Sequence, residues 1–206
     1  MQHILHDKGK YRVFQDYDKY EKHGDLHWKW YADNKHGYHS LVEDSLKPFL
    51  SVAPLDISEK GKITVVDIGC GDGLPLSKLY ELGYKCYGVD PSKVGIDLAL
   101  KEHDVSAEFF IEKAEKFAER GLDFDYLYCL NTIEHMDRPE ALLEIMKHIR
   151  KFGIIVTDDA TLHKDPSVYH SKEFTPTEFE KLFKDFKLEK LNITHKSYFG
   201  YKVSNK

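Results

Sequence analysis

The chain has 206 residues, 41% of them hydrophobic, which suits one sizeable core and a single α/β domain with a short extension. A formal net charge of −5 and a pI of about 6.2 argue against a general electrostatic grip on nucleic acid. No apolar run reaches the roughly 18 residues of a membrane span, and the first residues, Met1 to Asp7, lack the apolar core of a signal peptide.

Residues 1–60 differ from the rest. They are rich in His, Tyr and Trp mixed with charge, and they carry no strand pattern. We read them as a helical extension or lid. Within it, Leu41, Val42, Leu46, Phe49 and Leu50 fall near helical spacing and predict a helix over 40–50. Pro54 to Lys62 reads as a linker. From 61 to 206 strands and helices alternate, the signature of a doubly wound parallel sheet.

The most informative stretch runs from Val65 through Asp67, Ile68, Gly69, Cys70, Gly71 and Asp72 to Gly73. It reads as a buried strand entering a glycine turn, with a helix from about Leu74. Glycines let the backbone take left-handed angles and approach a ligand, and the next helix offers its unpaired N–H groups. A dinucleotide fingerprint would need Gly or Ala at position 74, where Leu74 stands. Asp67 and Asp72 flank the turn. Two carboxylates repel a pyrophosphate and attract a ligand carrying an ammonium and a sulfonium. The charges therefore favour S-adenosylmethionine over NAD.

The next strand, Lys85 to Val89, ends at Asp90, at a spacing that suits a carboxylate accepting ribose hydroxyls. Its alternative role is local capping of the helix that follows, predicted over 92–102 with Ser92 as N-cap. Further strands are expected near 107–111, 126–130 and 153–157, with helices over 74–82, 113–120 and 139–151. Thr175, Pro176 and Glu178 form a capping-box signature for a helix with a Phe179, Leu182, Phe183 and Phe186 stripe. Two closing strands, 188–194 and 198–203, complete the pattern. Cys70, Cys86 and Cys129 all lie on or beside buried strands. This odd, unpatterned set reads as reduced packing thiols of a cytoplasmic protein.

Three segments in order carry a family resemblance. Asp67 to Gly73 resembles the first motif of the class I S-adenosylmethionine-dependent methyltransferases, and Gly88 to Ser92 the second. Phe124 to Met136 resembles the fourth strand and its Glu-His continuation. The resemblance covers roughly 63–186. It implies a Rossmann-like, seven-stranded, mostly parallel sheet with an antiparallel last strand, here with an N-terminal helical cap. It also implies S-adenosylmethionine as cofactor. Asp67, Gly69 and Gly71 would form the methionine-binding turn and Asp90 the ribose acceptor. Ala114 would face adenine through its backbone, and Leu130 and Asn131 would lie against the methionine portion. Members often carry an acid before the alanine. Lys113 stands there instead, and Glu115 is either its substitute or an ordinary solvated residue.

His135 is a candidate base for an acceptor hydroxyl, with a structural tie of the loop to the sheet as its alternative. His163, Tyr169 and His170 follow the fifth strand, on the side where parallel sheets form their ligand crevice, and Asp158, Asp159 and His163 point toward the acceptor by position, with surface loop residues as the alternative. Trp30 and Tyr31 are candidate pocket-facing residues of a water-excluding lid; packing on the sheet edge is the simpler role for such aromatics. The small-RNA 2′-O-methyltransferases hold a metal with a Glu-x-x-Glu-His run and a further His. Here the positions read Asn131, Glu134 and His135, with Glu140 in place of the next His, so no metal is expected. The leading reading is O-methylation of a small polar metabolite or sugar, with no nucleic-acid or membrane partner and the oligomeric state open. The rivals are methylation of RNA or a protein side chain, and a non-catalytic adenosylmethionine-binding protein.

Overall fold

A computed structural model describes residues 3–5, 12–14, 37–52, 57–103, 106–162 and 170–206. The main sheet contains β3 (Thr64–Ile68), β4 (Lys85–Val89), β5 (Ala107–Phe110), β6 (Phe124–Leu130), β7 (Ile149–Asp158), β8 (Lys187–Lys190) and β9 (Tyr198–Ser204). Their spatial order is β5-β4-β3-β6-β7-β9-β8. All neighbouring pairs from β5 to β7 are parallel, whereas β9 runs antiparallel to both β7 and β8. The chain adds β4 and β5 on one side of β3, then returns to add β6 on the other. That reversal opens a crevice at the carboxyl ends of β3 and β6.

Strand alternation sends successive side chains to opposite faces, and both faces are buried. Val65, Tyr126, Tyr128, Ile154 and Val156 join one core; Val66, Leu127, Cys129 and Ile155 join the other. The first core is closed by α1 (Tyr38–Ser51) and α2 (Leu74–Glu81). On α1, the Phe49 ring lies 5.4–6.2 Å from the rings of Tyr84, Tyr126, Tyr128 and Phe152. Ser45 Oγ and the buried Tyr128 hydroxyl share a 2.6 Å hydrogen bond, which satisfies the polar end of that ring. The second core is closed by α4 (Ala114–Ala118), α5 (Ala141–Met146) and α6 (Pro176–Leu182). Earlier in the chain, α3 (Lys93–Glu102) starts at Ser92, whose side chain accepts from the Gly95 N–H. The capping box at Thr175 forms in full: its Oγ1 accepts from the Glu178 N–H, and Glu178 Oε2 accepts from the Thr175 N–H.

Four expectations need correction. Residues 3–5 and 12–14 form a short antiparallel ladder, β1 (His3–Leu5) with β2 (Arg12–Phe14), in a segment whose sequence carries no strand pattern. The helix expected over 139–151 is only Ala141–Met146, because Ile149 already pairs with Phe124 at the start of β7. The Phe124↔Ile149 and Tyr126↔Phe152 pairs leave one extra residue on β7, a bulge that breaks the period-2 pattern and puts Arg150 and Lys151 both outward. The helix expected over 113–120 is likewise shorter, Ala114–Ala118. The strand expected over 188–194 ends at Lys190. Beyond it, Thr194 leaves the ladder to donate both its N–H and its hydroxyl to Asp44 of α1.

Candidate active site

The turn after β3 is built by close approach. Gly69 has φ of 78°, and a Cβ there would run into the Thr132 side chain in the loop after β6. Only glycine lets these two loops touch. Gly71 follows at φ 51°, and Gly73, at φ 78°, precedes the first turn of α2. The Gly69 and Cys70 N–H groups donate to Val89 O, which moors the turn to the end of β4.

Three carboxylates converge on this turn. Asp67 is 1% exposed, Asp90 7% and Asp72 8%. Burial pushes the Asp67 carboxyl well above the usual carboxylate range, and the charges of Asp90 and Asp72 push it further. Burial likewise raises Asp90 to about 6, partly opposed by hydrogen bonds from the Ser92 and Gly71 N–H groups. Asp72 is raised by burial as well, with the Leu74 N–H pulling the other way. Such a cluster is strained by its own charge and is relieved by a cation. Among the described residues, Asp67 Oδ2 and Asn131 Oδ1 are buried with no hydrogen-bond partner. Those orphaned acceptors fit the ammonium-bearing end of S-adenosylmethionine and do not fit a pyrophosphate.

Asp90 makes the local contact considered for it. Its Oδ1 accepts from Ser92 N–H at 2.7 Å and its Oδ2 from Gly71 N–H at 2.9 Å. The carboxylate is thereby fixed in place, and each oxygen keeps a lone pair for a ligand hydroxyl. Ala114 is buried as the first residue of α4, after Lys113, which pairs with Asp137 at 2.7 Å. Glu115 Oε1 accepts from the Arg138 N–H at 3.0 Å.

Leu130 closes β6, and Asn131 takes φ of 50°, the one non-glycine left-handed residue among those described. This is a backbone outlier beside the crevice. Glu134 is buried and accepts from Thr157 Oγ1 of β7 at 2.8 Å, so it ties the loop to the sheet. His135 sits at the end of the same 3-10 turn, Ile133–His135. Its ring lies 4.9 Å, edge to face, from that of His170.

The proximity of His170 is a result of backbone clamping. Glu134 O accepts from the Ser171 and Lys172 N–H groups, and Ser171 Oγ donates to His135 O across 36 residues of chain. His170 Nδ1 then lies 3.0 Å from Glu173, and its Nε2 lies 3.6 Å from Asp158 at the end of β7. The sequence places His170, with His163 and Tyr169, after the fifth strand; its meeting with His135 is not legible there, because Ser171 and Lys172 reach Glu134 through their backbone N–H groups. Asp159 is engaged locally, where its Oδ1 accepts from the N–H and hydroxyl of Thr161. His163, Trp30 and Tyr31 lie outside the described residues.

Sheet order, glycine turn and acid set together define a class I S-adenosylmethionine-dependent methyltransferase domain. Comparison with known proteins agrees. A family model described as a methyltransferase domain matches residues 38–199, and the chain belongs to that family. A ubiquinone biosynthesis O-methyltransferase of Rickettsia typhi is 24% identical over 145 residues, which is 68% of this chain and 58% of that protein. One from Pseudoalteromonas translucida is 26% identical over 139 residues, 62% of this chain and 58% of that protein. The chain thus spans a little under three fifths of these relatives. Among solved structures, a Thermotoga maritima S-adenosylmethionine-dependent methyltransferase, described as a possible histamine N-methyltransferase, aligns with a TM-score of 0.68 at 18% identity. It covers 92% of this chain and 99% of that one. The magnesium protoporphyrin IX methyltransferase of Synechocystis, with bound S-adenosylhomocysteine, gives a TM-score of 0.66 at 13% identity, with 92% and 99% covered.

Proposed function

We propose that this protein transfers a methyl group from S-adenosylmethionine to an oxygen of a small polar metabolite or sugar in the cytoplasm. The single observation that carries the reading is the buried Asp67 carboxylate, with one oxygen unpartnered among like charges. Relatives named as O-methyltransferases of ubiquinone biosynthesis support an oxygen acceptor. Three buried, free cysteines support a reducing compartment. Among the described residues, no helix is long and apolar enough to cross a membrane.

When bound, S-adenosylmethionine supplies an electrophilic methyl group on a sulfur that leaves neutral. Asp67 takes the ammonium end, with Gly69 and Gly71 letting the turn approach. Asp90 accepts from the ribose hydroxyls, and the Ala114 backbone faces adenine. Leu130 and Asn131 flank the methionine portion. Much of the rate then comes from holding the acceptor oxygen in line with the methyl carbon. His135 assists removal of the acceptor proton, with His163 as a second candidate, and Asp159 lines the acceptor side. Trp30 and Tyr31 are the candidate cover of the pocket from the N-terminal extension, whereas α1 packs into the core of the cofactor-binding unit.

The test is calorimetry of the full chain with S-adenosylmethionine, S-adenosylhomocysteine and NADH. Binding of the first two and not the third supports the reading, and the reverse sinks it. Deletion of residues 1–36 should leave S-adenosylhomocysteine binding and abolish transfer. Loss of fold and cofactor binding together would make the segment packing and not a lid.

A further inference from the structure

We propose that Glu134, His135 and His170 form a divalent-cation site at the acceptor end of the crevice. Each offers one ligand atom, and these atoms all lie within 4.8 Å of one another. Around a four-coordinate ion, with bonds of about 2.0–2.2 Å, ligand atoms stand roughly 3.4 Å apart, so rotation of the two rings closes the remainder. Two imidazoles and one carboxylate suit zinc or a neighbouring transition metal better than magnesium, and they leave positions open for an incoming oxygen.

The surroundings have the form of a metal site. Glu134 is held by Thr157 Oγ1 on one carboxylate oxygen. His170 Nδ1 faces Glu173 at 3.0 Å, so a proton on Nδ1 leaves Nε2 as the ligand atom. An orienting carboxylate behind a ligating histidine fixes tautomer and ring direction and raises ligand basicity. Asp158, 3.6 Å from Nε2, adds negative charge beside the ion. The three ligands come from two segments clamped together by the Ser171 and Lys172 N–H bonds to Glu134 O and by Ser171 Oγ on His135 O. Glu140 stands where the small-RNA 2′-O-methyltransferase pattern has its further histidine; here His170 comes beside His135 from another part of the chain.

The site lies after β6 and β7, at the carboxyl ends of the parallel strands, where the acceptor would bind. A cation there would bind the acceptor hydroxyl and lower its pKa, so that the hydroxyl gives its proton to solvent water and the oxygen reaches the methyl group as an alkoxide or phenoxide. His135 would then serve as a ligand. This use in transfer rests on the O-methylation reading, but the existence of the site does not.

The experiment is titration of the metal-stripped full chain with zinc and with manganese, followed by calorimetry and by metal content after gel filtration. The expected result is one tightly held zinc per chain. His170→Ala and His135→Ala should each lose it, and Glu173→Gln should weaken it 10- to 100-fold. His148→Ala, at an exposed histidine paired with Asp123, should bind as the wild type does. S-adenosylhomocysteine affinity checks that each variant is folded, and His170→Gln and His135→Gln replace the alanine variants where these are not. A wild-type chain that retains no zinc overturns the proposal, as does equal retention by His170→Ala. Stoichiometric zinc with chelator-insensitive transfer would overturn its catalytic use and leave the site. Zinc binding in a chain that binds neither S-adenosylmethionine nor S-adenosylhomocysteine would instead fail the proposed function alone.

Discussion

The two ends of the crevice are assembled in opposite ways. The proposed cofactor end is local: Asp67, Gly69, Gly71 and Asp72 follow one another on a single strand-and-turn, and Asp90 directly follows the adjacent strand. The proposed acceptor end is long-range. His135 and His170 meet because backbone bonds clamp residues 171 and 172 onto Glu134. The local end is specified by residue types in sequence order and suits a ligand common to many enzymes. The assembled end can change with one loop, and loops on a rigid sheet are where acceptor choice is set.

The comparison predicts that damage to each end has a different signature. The largest effect belongs to the acceptor end. His135→Ala should slow methyl transfer by about 10²–10⁴, the usual worth of assisted proton transfer, with cofactor affinity nearly unchanged. Single-turnover rates beside calorimetric affinities make the measurement. If the affinity falls with the rate, the two ends are not separate.

At the cofactor end the effect is on binding. Asp90→Ala should cost roughly 1.5–3 kcal/mol of S-adenosylhomocysteine affinity, the range for hydrogen bonds to a charged group. Part of that loss is indirect, since Asp90 also holds the Gly71 and Ser92 N–H groups. Unchanged affinity would remove Asp90 from the site.

The same carboxylate sets a pH dependence. Burial raises Asp90 to about 6, above its unfolded value near 3.8, and Asp67 is raised too. A group raised on folding stabilises the ligand-free fold fully below its unfolded pKa and loses that contribution as pH climbs through about 6. Binding of a cationic ligand runs the other way, because it requires the carboxylates ionised. S-adenosylmethionine affinity should therefore rise as pH climbs through about 6, where Asp90 ionises, with a slope that approaches tenfold per unit only well below that pH. Calorimetry from pH 5 to 7.5 checks this. A flat profile would mean that the acids do not meet the ligand's charge.

What is legible in the sequence follows the same division. The strand-turn-acid unit can be read because each residue type has a local reason to be there: glycine for φ near 78° at Gly69, acids for a cation, Ser92 for a helix start. The sheet order and the antiparallel β9 follow from the family resemblance. His170 is legible as a residue that follows the fifth strand, but its meeting with His135 is not, because what brings the two together is a set of backbone N–H bonds, and any residue type supplies those. The start of β7 is hidden for a related reason. Its bulge turns Arg150 and Lys151 outward together, which mimics the polar face of a helix. The early end of β8 reflects Asp44 drawing Thr194 away, another bond made across the fold.

The smallest predicted effect is also the cleanest comparison, because each end of the crevice has a helix N-cap of its own. Thr175 caps α6, five residues beyond His170, and Ser92 caps α3, two residues beyond Asp90. Each gives one side-chain oxygen to an otherwise unpaired N–H, so each substitution by Ala should cost about 1 kcal/mol. In a chain of this length that is a fall in melting temperature of roughly 2–4 °C. Thermally the two variants should look alike. Functionally they should part. Ser92→Ala loosens the helix start against which Asp90 is held, so it should weaken S-adenosylhomocysteine binding by a few-fold. Thr175→Ala should leave that affinity untouched, because α6 packs in the core on the other face of the sheet from α2 and lies downstream of the acceptor cluster. Calorimetry on both variants, alongside their melting curves, decides it. Equal affinities in the face of equal destabilisation would mean that Asp90 is positioned by the Gly71 bond alone, and that the cofactor end is more rigid than its cap.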